Sequence, residues 1–164
     1  RVYLSVAMVW DRRKGLDDIV RFAETLTTDE ALIVIGLTPK QIEQLPNTMI
    51  KIARTSSVKE LAEYYSLADV TIVPSYEDNY PTVVLESLAC GTPVVAYATG
   101  GIPEMAQSPT LTTVEKGDLD ALGACLRTRT EIQAWNVDVS RFDKTQSAKA
   151  MVALYQSVLM KKGD

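Results

Sequence analysis

Short apolar runs rich in β-branched residues alternate along this chain with segments whose apolar residues recur at helical spacing. That alternation limits the fold more than any other feature. Residues 2–9, 31–35, 49–53, 70–73, 93–97 and 111–114 read as strands, and residues 16–26, 39–45, 58–67, 82–89, 103–106, 119–126 and 145–160 as helices. Residues 135–142 read as irregular. In the first helix Ile19, Val20, Phe22, Ala23 and Leu26 form the 3.6-residue stripe. The run 93–97 is apolar on both faces, as a central parallel strand must be. Strands separated by helices predict an α/β, doubly wound, Rossmann-like and mostly parallel sheet of about six strands, with right-handed crossovers and helices on both faces. A length of 164 residues fits one such domain over 1–164. A chain of this size needs no disulfide or metal to hold a core.

Composition removes several classes of chemistry. Histidine is absent, so the chain cannot build a Ser-His-Asp triad, a Cys-His dyad or a His-ligated metal site from its own residues. Cys90 and Cys125 are too few and too far apart for a zinc knuckle or a CxxC pair, and suit a reducing, cytoplasmic compartment. Seventeen basic against 21 acidic residues, net −4, argue against nucleic acid as a partner held by bulk charge. No apolar run has the length of a membrane span. The chain opens on Arg1 and enters a strand at once, so it is expected to be part of a longer protein.

Doubly wound sheets bind ligands outside the carboxyl ends of their strands, and four unusual clusters fall there. Asp11-Arg12-Arg13-Lys14-Gly15 follows strand one, Arg54-Thr55-Ser56 strand three, Ser75 to Pro81 strand four, and Thr99-Gly100-Gly101 strand five. Three cations at a helix start oppose the macrodipole unless an anion is expected, and Lys14 beside Gly15 is the best phosphate candidate. The alternative is a solvated turn neutralised by Asp11, Asp17 and Asp18. The Gly100-Gly101 pair could aim amides at an anion, or serve only as a tight turn. Glu86 lies eight residues after Asp78, on a helix face of small and apolar residues where a carboxylate needs a partner such as a ribose diol. It could equally be a surface carboxylate. Asp78 could be a turn residue, and Glu104 a first-turn dipole partner. Trp10 and Trp135 read as packing residues, both cysteines as small hydrophobes, and Lys161 and Lys162 as a basic helix end.

The stretch from Pro74 through Glu86, Ala89-Cys90-Gly91-Thr92-Pro93 and Gly100-Gly101-Ile102-Pro103-Glu104 resembles the donor-binding, C-terminal half of retaining glycosyltransferases of the GT-B fold. It is most similar to family-4 enzymes of bacterial polysaccharide synthesis, and Trp10 to Leu16 looks like the variant of capsular and exopolysaccharide members. The resemblance implies transfer of a hexose-type sugar, with retention, from a nucleotide-diphosphate sugar to a glycan or lipid-linked acceptor. It implies that Glu86 binds the ribose and that Asp78 lies near the transferred sugar. Amides around Asn79 and Tyr80 would line the sugar pocket, Lys14 would bind the diphosphate, and the base would lie near Arg54 and Thr55. Asp78 and Lys14 are then the catalytic candidates. Lys14, the arginines and the Gly100-Gly101 amides would stabilise the leaving diphosphate without a metal or other cofactor. Asp78 stands where the family has glutamate, and Met8 where it has arginine, for which Arg12 or Arg13 would compensate. An N-terminal acceptor domain would lie outside this chain and could bring peripheral attachment at the inner face of the plasma membrane. Without it, turnover should be negligible. Rival readings are a sugar-nucleotide epimerase of the same fold and a non-catalytic nucleotide-binding module.

Overall fold

The computed structural model describes residues 1–106, 110–128 and 144–160. Its strands are β1 (Val2–Val6), β2 (Ala31–Ile35), β3 (Ile50–Ile52), β4 (Val70–Val73), β5 (Val94–Tyr97) and β6 (Leu111–Val114). Its helices are α1 (Leu16–Ala23), α2 (Pro39–Gln44), α3 (Val58–Leu67), α4 (Thr82–Ala89), α5 (Ile102–Met105), α6 (Leu119–Thr128) and α7 (Lys144–Met160). The strands form one sheet in the order β3-β2-β1-β4-β5-β6, and every pairing is parallel. Strand order reverses between β1 and β4, the switch point where doubly wound sheets open a crevice.

Alternating side chains bury both faces. Val95 and Tyr97 of β5 point into a core shared with Ile19 and Phe22 of α1 and Leu122 and Leu126 of α6. Val94 and Ala96 point the other way, against Val84 and Leu88 of α4 and Ile102 and Met105 of α5. Tyr65 of α3 packs with Leu4, Ile33 and Ile35 on that second side.

The first strand is shorter than the sequence predicts, Val6 instead of Val9. Ala7 N–H still reaches the Ile35 carbonyl at 3.1 Å, but the indole of buried Trp10 then takes the same carbonyl at 2.8 Å. Turning Trp10 inward lifts Met8 and Val9 into solvent, Met8 being 96% exposed. Helix α1 stops at Ala23 because the Thr25 hydroxyl and amide both donate to the Phe22 carbonyl. Ser57 caps α3, accepting from the Glu60 amide, and Glu60 in return accepts from the Ser56 amide and hydroxyl. Trp135, residues 135–142, Lys161 and Lys162 lie outside the described residues. Among the described residues no helix is long and apolar enough to cross a membrane.

The amino edge of the sheet is stitched by polar bonds. Glu30 accepts from the Tyr3 hydroxyl at 2.5 Å, the Thr27 amide at 3.0 Å and the Arg127 guanidinium at 3.2 Å. Burial pushes the Glu30 carboxyl up, but these donors outweigh it and bring its pKa down to about 2. Arg127 also donates to the Thr25 carbonyl and hydroxyl and lies over the Phe22 ring.

Candidate functional site: a charged cleft at the switch point

All six strands run the same way, so the four loop clusters share the carboxyl edge. After β1 the chain makes a 3-10 turn over Arg12–Lys14, capped by Asp11, whose carboxylate accepts from the Arg13 and Lys14 amides at 2.9 and 3.2 Å. Gly15, at φ +74°, separates this turn from α1, so the first turn of α1 carries Asp17 and Asp18 and no cation. The expected clash of three cations with the macrodipole is therefore relieved by the turn.

The loop after β4 is fixed from both sides. Toward the basic turn, the Tyr76 amide donates to the Arg13 carbonyl at 2.7 Å. The Tyr76 hydroxyl donates to Asp18 Oδ2 at 2.7 Å, which also accepts from Tyr97 at 2.7 Å, while Arg21 approaches Oδ1 at 3.4 Å. Asp18 is only 4% exposed. Its negative charge holds both phenols above their usual range, with burial the larger cause for Tyr97 and the hydrogen bond to Asp18 the larger for Tyr76. On the other side the Gly101 amide donates to the Asn79 carbonyl at 2.7 Å. Gly100 sits at φ +54°, where a Cβ would come within 1.6 Å of the Asp78 carbonyl oxygen. Any side chain there would displace the loop.

This clamp brings Lys14 and Asp78 together, with Nζ to Oδ2 at 2.5 Å. Both line a hollow of about 320 Å³ with Val6, Met8, Trp10, Arg13, Pro74, Tyr80 and the amino end of α4. Arg13 is bound bidentately to Asp11 at 2.8 and 3.0 Å, which holds the Asp11 carboxyl below the usual range. A second hollow of about 420 Å³ adjoins it, sharing Val6, Ala7, Met8, Thr82 and Val83, and is lined further by Gly36, Arg54, Thr55 and Glu86. Glu86 accepts from the hydroxyl of buried Tyr65 at 2.9 Å. Burial and then the Glu86 charge push the phenol of Tyr65 and the thiol of Cys90 up. Both volumes suit a small-molecule site.

The structure thus gathers Arg13, Lys14, Arg54, Thr55, Asp78, Tyr80 and Glu86 into one cleft at the β1/β4 reversal. The others stand apart. Arg12 lines another hollow, with Asp17, Arg21 and Glu77, on the other side of Arg13. Asn79 and Gly100 are exposed, Gly101 is buried, and none of the three lines either hollow; the Gly101 amide is engaged by Asn79 and is not free for an anion. Thr99 is buried, with a hydroxyl that has no hydrogen-bond partner, and also lines neither. Glu104 is exposed in the first turn of α5, and both cysteines are half-buried free thiols. Sequence reasoning gave Tyr65 no role, and took Tyr76 only as part of the loop after strand four and Asp18 only as a neutraliser of the basic turn. Burial of Asp18 on α1 is a feature only the structure shows. No three acidic or thiol side chains cluster to hold a metal among the described residues.

The all-parallel, Rossmann-like sheet with a charged cleft at its switch point is a domain of the GT-B kind. The chain belongs to the family described as glycosyl transferases group 1, whose model matches residues 1–129. It is 44% identical over 69 residues to a D-inositol 3-phosphate glycosyltransferase of Geodermatophilus obscurus, covering 39% of this chain and 15% of that protein. It is 24% identical over 156 residues to a putative teichuronic acid biosynthesis glycosyltransferase of Bacillus subtilis, covering 90% of this chain and 40% of that protein. Among solved structures, a sucrose-phosphate synthase of Thermosynechococcus elongatus superimposes with a TM-score of 0.75 at 26% identity, covering 97% of this chain and 46% of that one. Anabaena HepE in complex with UDP-glucose gives 0.77 at 18% identity, covering 95% and 48%. The chain spans less than half the length of each of these proteins.

Proposed function

We propose that this chain is the donor-binding half of a retaining, family-4 type glycosyltransferase. It would transfer a hexose from a nucleotide-diphosphate sugar to a glycan or lipid-linked acceptor in cell-surface polysaccharide synthesis. The observation that carries this reading is the convergence of Lys14, Asp78 and Glu86 on adjoining hollows at the β1/β4 reversal. The alignment of 90% of this chain with a putative teichuronic acid biosynthesis glycosyltransferase favours the polysaccharide class. UDP-glucose bound to a protein of the same fold favours a sugar nucleotide as donor.

In this reading the base and ribose occupy the hollow of Arg54, Thr55 and Glu86. Tyr65 fixes one oxygen of Glu86 and leaves the other for the ribose hydroxyls. The diphosphate lies at the amino end of α4, which has no side-chain cap and whose macrodipole favours an anion. The Lys14 ammonium stabilises the charge that builds on the leaving diphosphate. The sugar faces Asp78. The acceptor domain lies outside this chain, so the chain alone binds donor and turns over negligibly.

Calorimetric titration of this chain with UDP, GDP, ADP and their sugars at low salt tests the reading. The expected result is selective binding of one nucleotide. Lys14→Ala and Glu86→Ala should each weaken it about tenfold, as loss of a charge-assisted hydrogen bond does. No heat with any of them at millimolar concentration overturns it.

A further inference from the structure

Charge in the sugar-side hollow is already balanced before any ligand arrives. Its ionised lining residues are Asp11, Arg13, Lys14 and Asp78, two cations and two carboxylates. Each cation is bound to a carboxylate, Arg13 to Asp11 and Lys14 to Asp78. Met8, which also lines it, is uncharged, and Arg12 is not among its lining residues. A bare diphosphate entering this space meets no uncommitted cation. It must compete with Asp78, whose side chain is 12% exposed and whose own charge repels it.

A sugar carrying the diphosphate meets a different surface, because its hydroxyls can donate to the Asp78 carboxylate and replace the ammonium there. We infer that the donor sugar unlocks the diphosphate site. Its hydroxyls take Asp78, and the released Lys14 turns to the phosphates. This rests on the donor reading above and adds a role for Asp78, discrimination of sugar nucleotide from the bare nucleotide product. The exchange is non-covalent. Once the sugar has departed, Asp78 reclaims Lys14 and the diphosphate is expelled.

The surrounding bonds decide which partner moves. The backbone that carries Asp78 is held in place, its loop tied to Arg13 and Asp18 on one side and to Gly101 on the other. Lys14 carries its charge on a flexible four-carbon stem, with its side chain still 35% exposed. The lysine is the mobile member.

The test is titration of the wild-type chain and Asp78→Asn with UDP and with UDP-glucose at low salt. Asparagine removes the competing charge and keeps groups that bond to hydroxyls. UDP should then bind roughly fivefold tighter, the scale of one partly screened ion pair. UDP-glucose should gain nothing, so the preference for donor over UDP collapses. Unchanged UDP affinity with weaker UDP-glucose would mean that Asp78 only touches sugar, and would overturn the inference. Weakening of both together would mean a structural role and would also overturn it. A ligand-free readout runs beside this: acylation of the Lys14 amine, relative to exposed Lys40, should quicken in Asp78→Asn, and an unchanged rate overturns the inference. Failure of the wild-type chain to bind these probes or GDP, ADP and their sugars, with Lys14 still released by Asp78→Asn, would remove the donor reading and keep only the ion-pair lock.

Discussion

The two edges of the sheet handle charge in opposite ways. At the amino edge, Glu30 is saturated by Tyr3, Thr27 and Arg127, and Arg127 is further bound to Thr25. At the carboxyl edge, Lys14 and Asp78 hold one another by a single bond beside an open hollow. A group with several protein donors has no capacity for a ligand, whereas a single bond can be exchanged for another of similar strength. Saturation marks the part that holds the fold, and single pairing marks the part that works.

Asp18 gives the strongest test of this contrast, because it lies beneath the carboxyl edge yet is saturated like the amino one. Asp18→Asn removes the charge that buried Tyr97 and half-buried Tyr76 donate to and places an amide donor against one of them. It should destabilise the chain by about 2–4 kcal/mol, read from chemical denaturation. Glu30→Gln at the amino edge should cost about 1–2 kcal/mol in the same measurement. Because the Glu30 pKa falls to about 2 on folding, its contribution is fully present above the unfolded value near 4.5 and disappears as pH drops toward 2. Acid titration of stability should lose that part of its slope in Glu30→Gln. Lys14→Ala should change stability least, by within about 0.5 kcal/mol, while abolishing most donor affinity. A loss of 2 kcal/mol there would break the contrast.

Periodicity made the architecture readable, since six parallel strands and their helices follow directly from apolar spacing. It misplaced the end of β1, because Met8 and Val9 are strand-formers and only the inward turn of Trp10 excludes them. The cleft residues were legible because Lys14, Arg54 and Asp78 follow strands at one edge and Glu86 is a carboxylate on a helix face of small and apolar residues. Their pairings were not. That Lys14 meets Asp78, 64 residues away, depends on the Tyr76–Asp18 bond across 58 residues. The glycines illustrate the same limit. Gly100 and Gly101 read as anion binders or as a turn with equal ease, and only contact with the Asp78 and Asn79 carbonyls distinguishes the two.

Neighbouring strands β1 and β4 send their chains to opposite sides of the sheet, one to α1 and the other to α4. The gap between them is a product of routing and owes nothing to the side chains that happen to border it. Exchanging Met8, Arg54 or Asp78 can therefore redraw what the gap accepts without erasing it. A lineage built on this frame is free to trade one cargo for another while the masonry stays put.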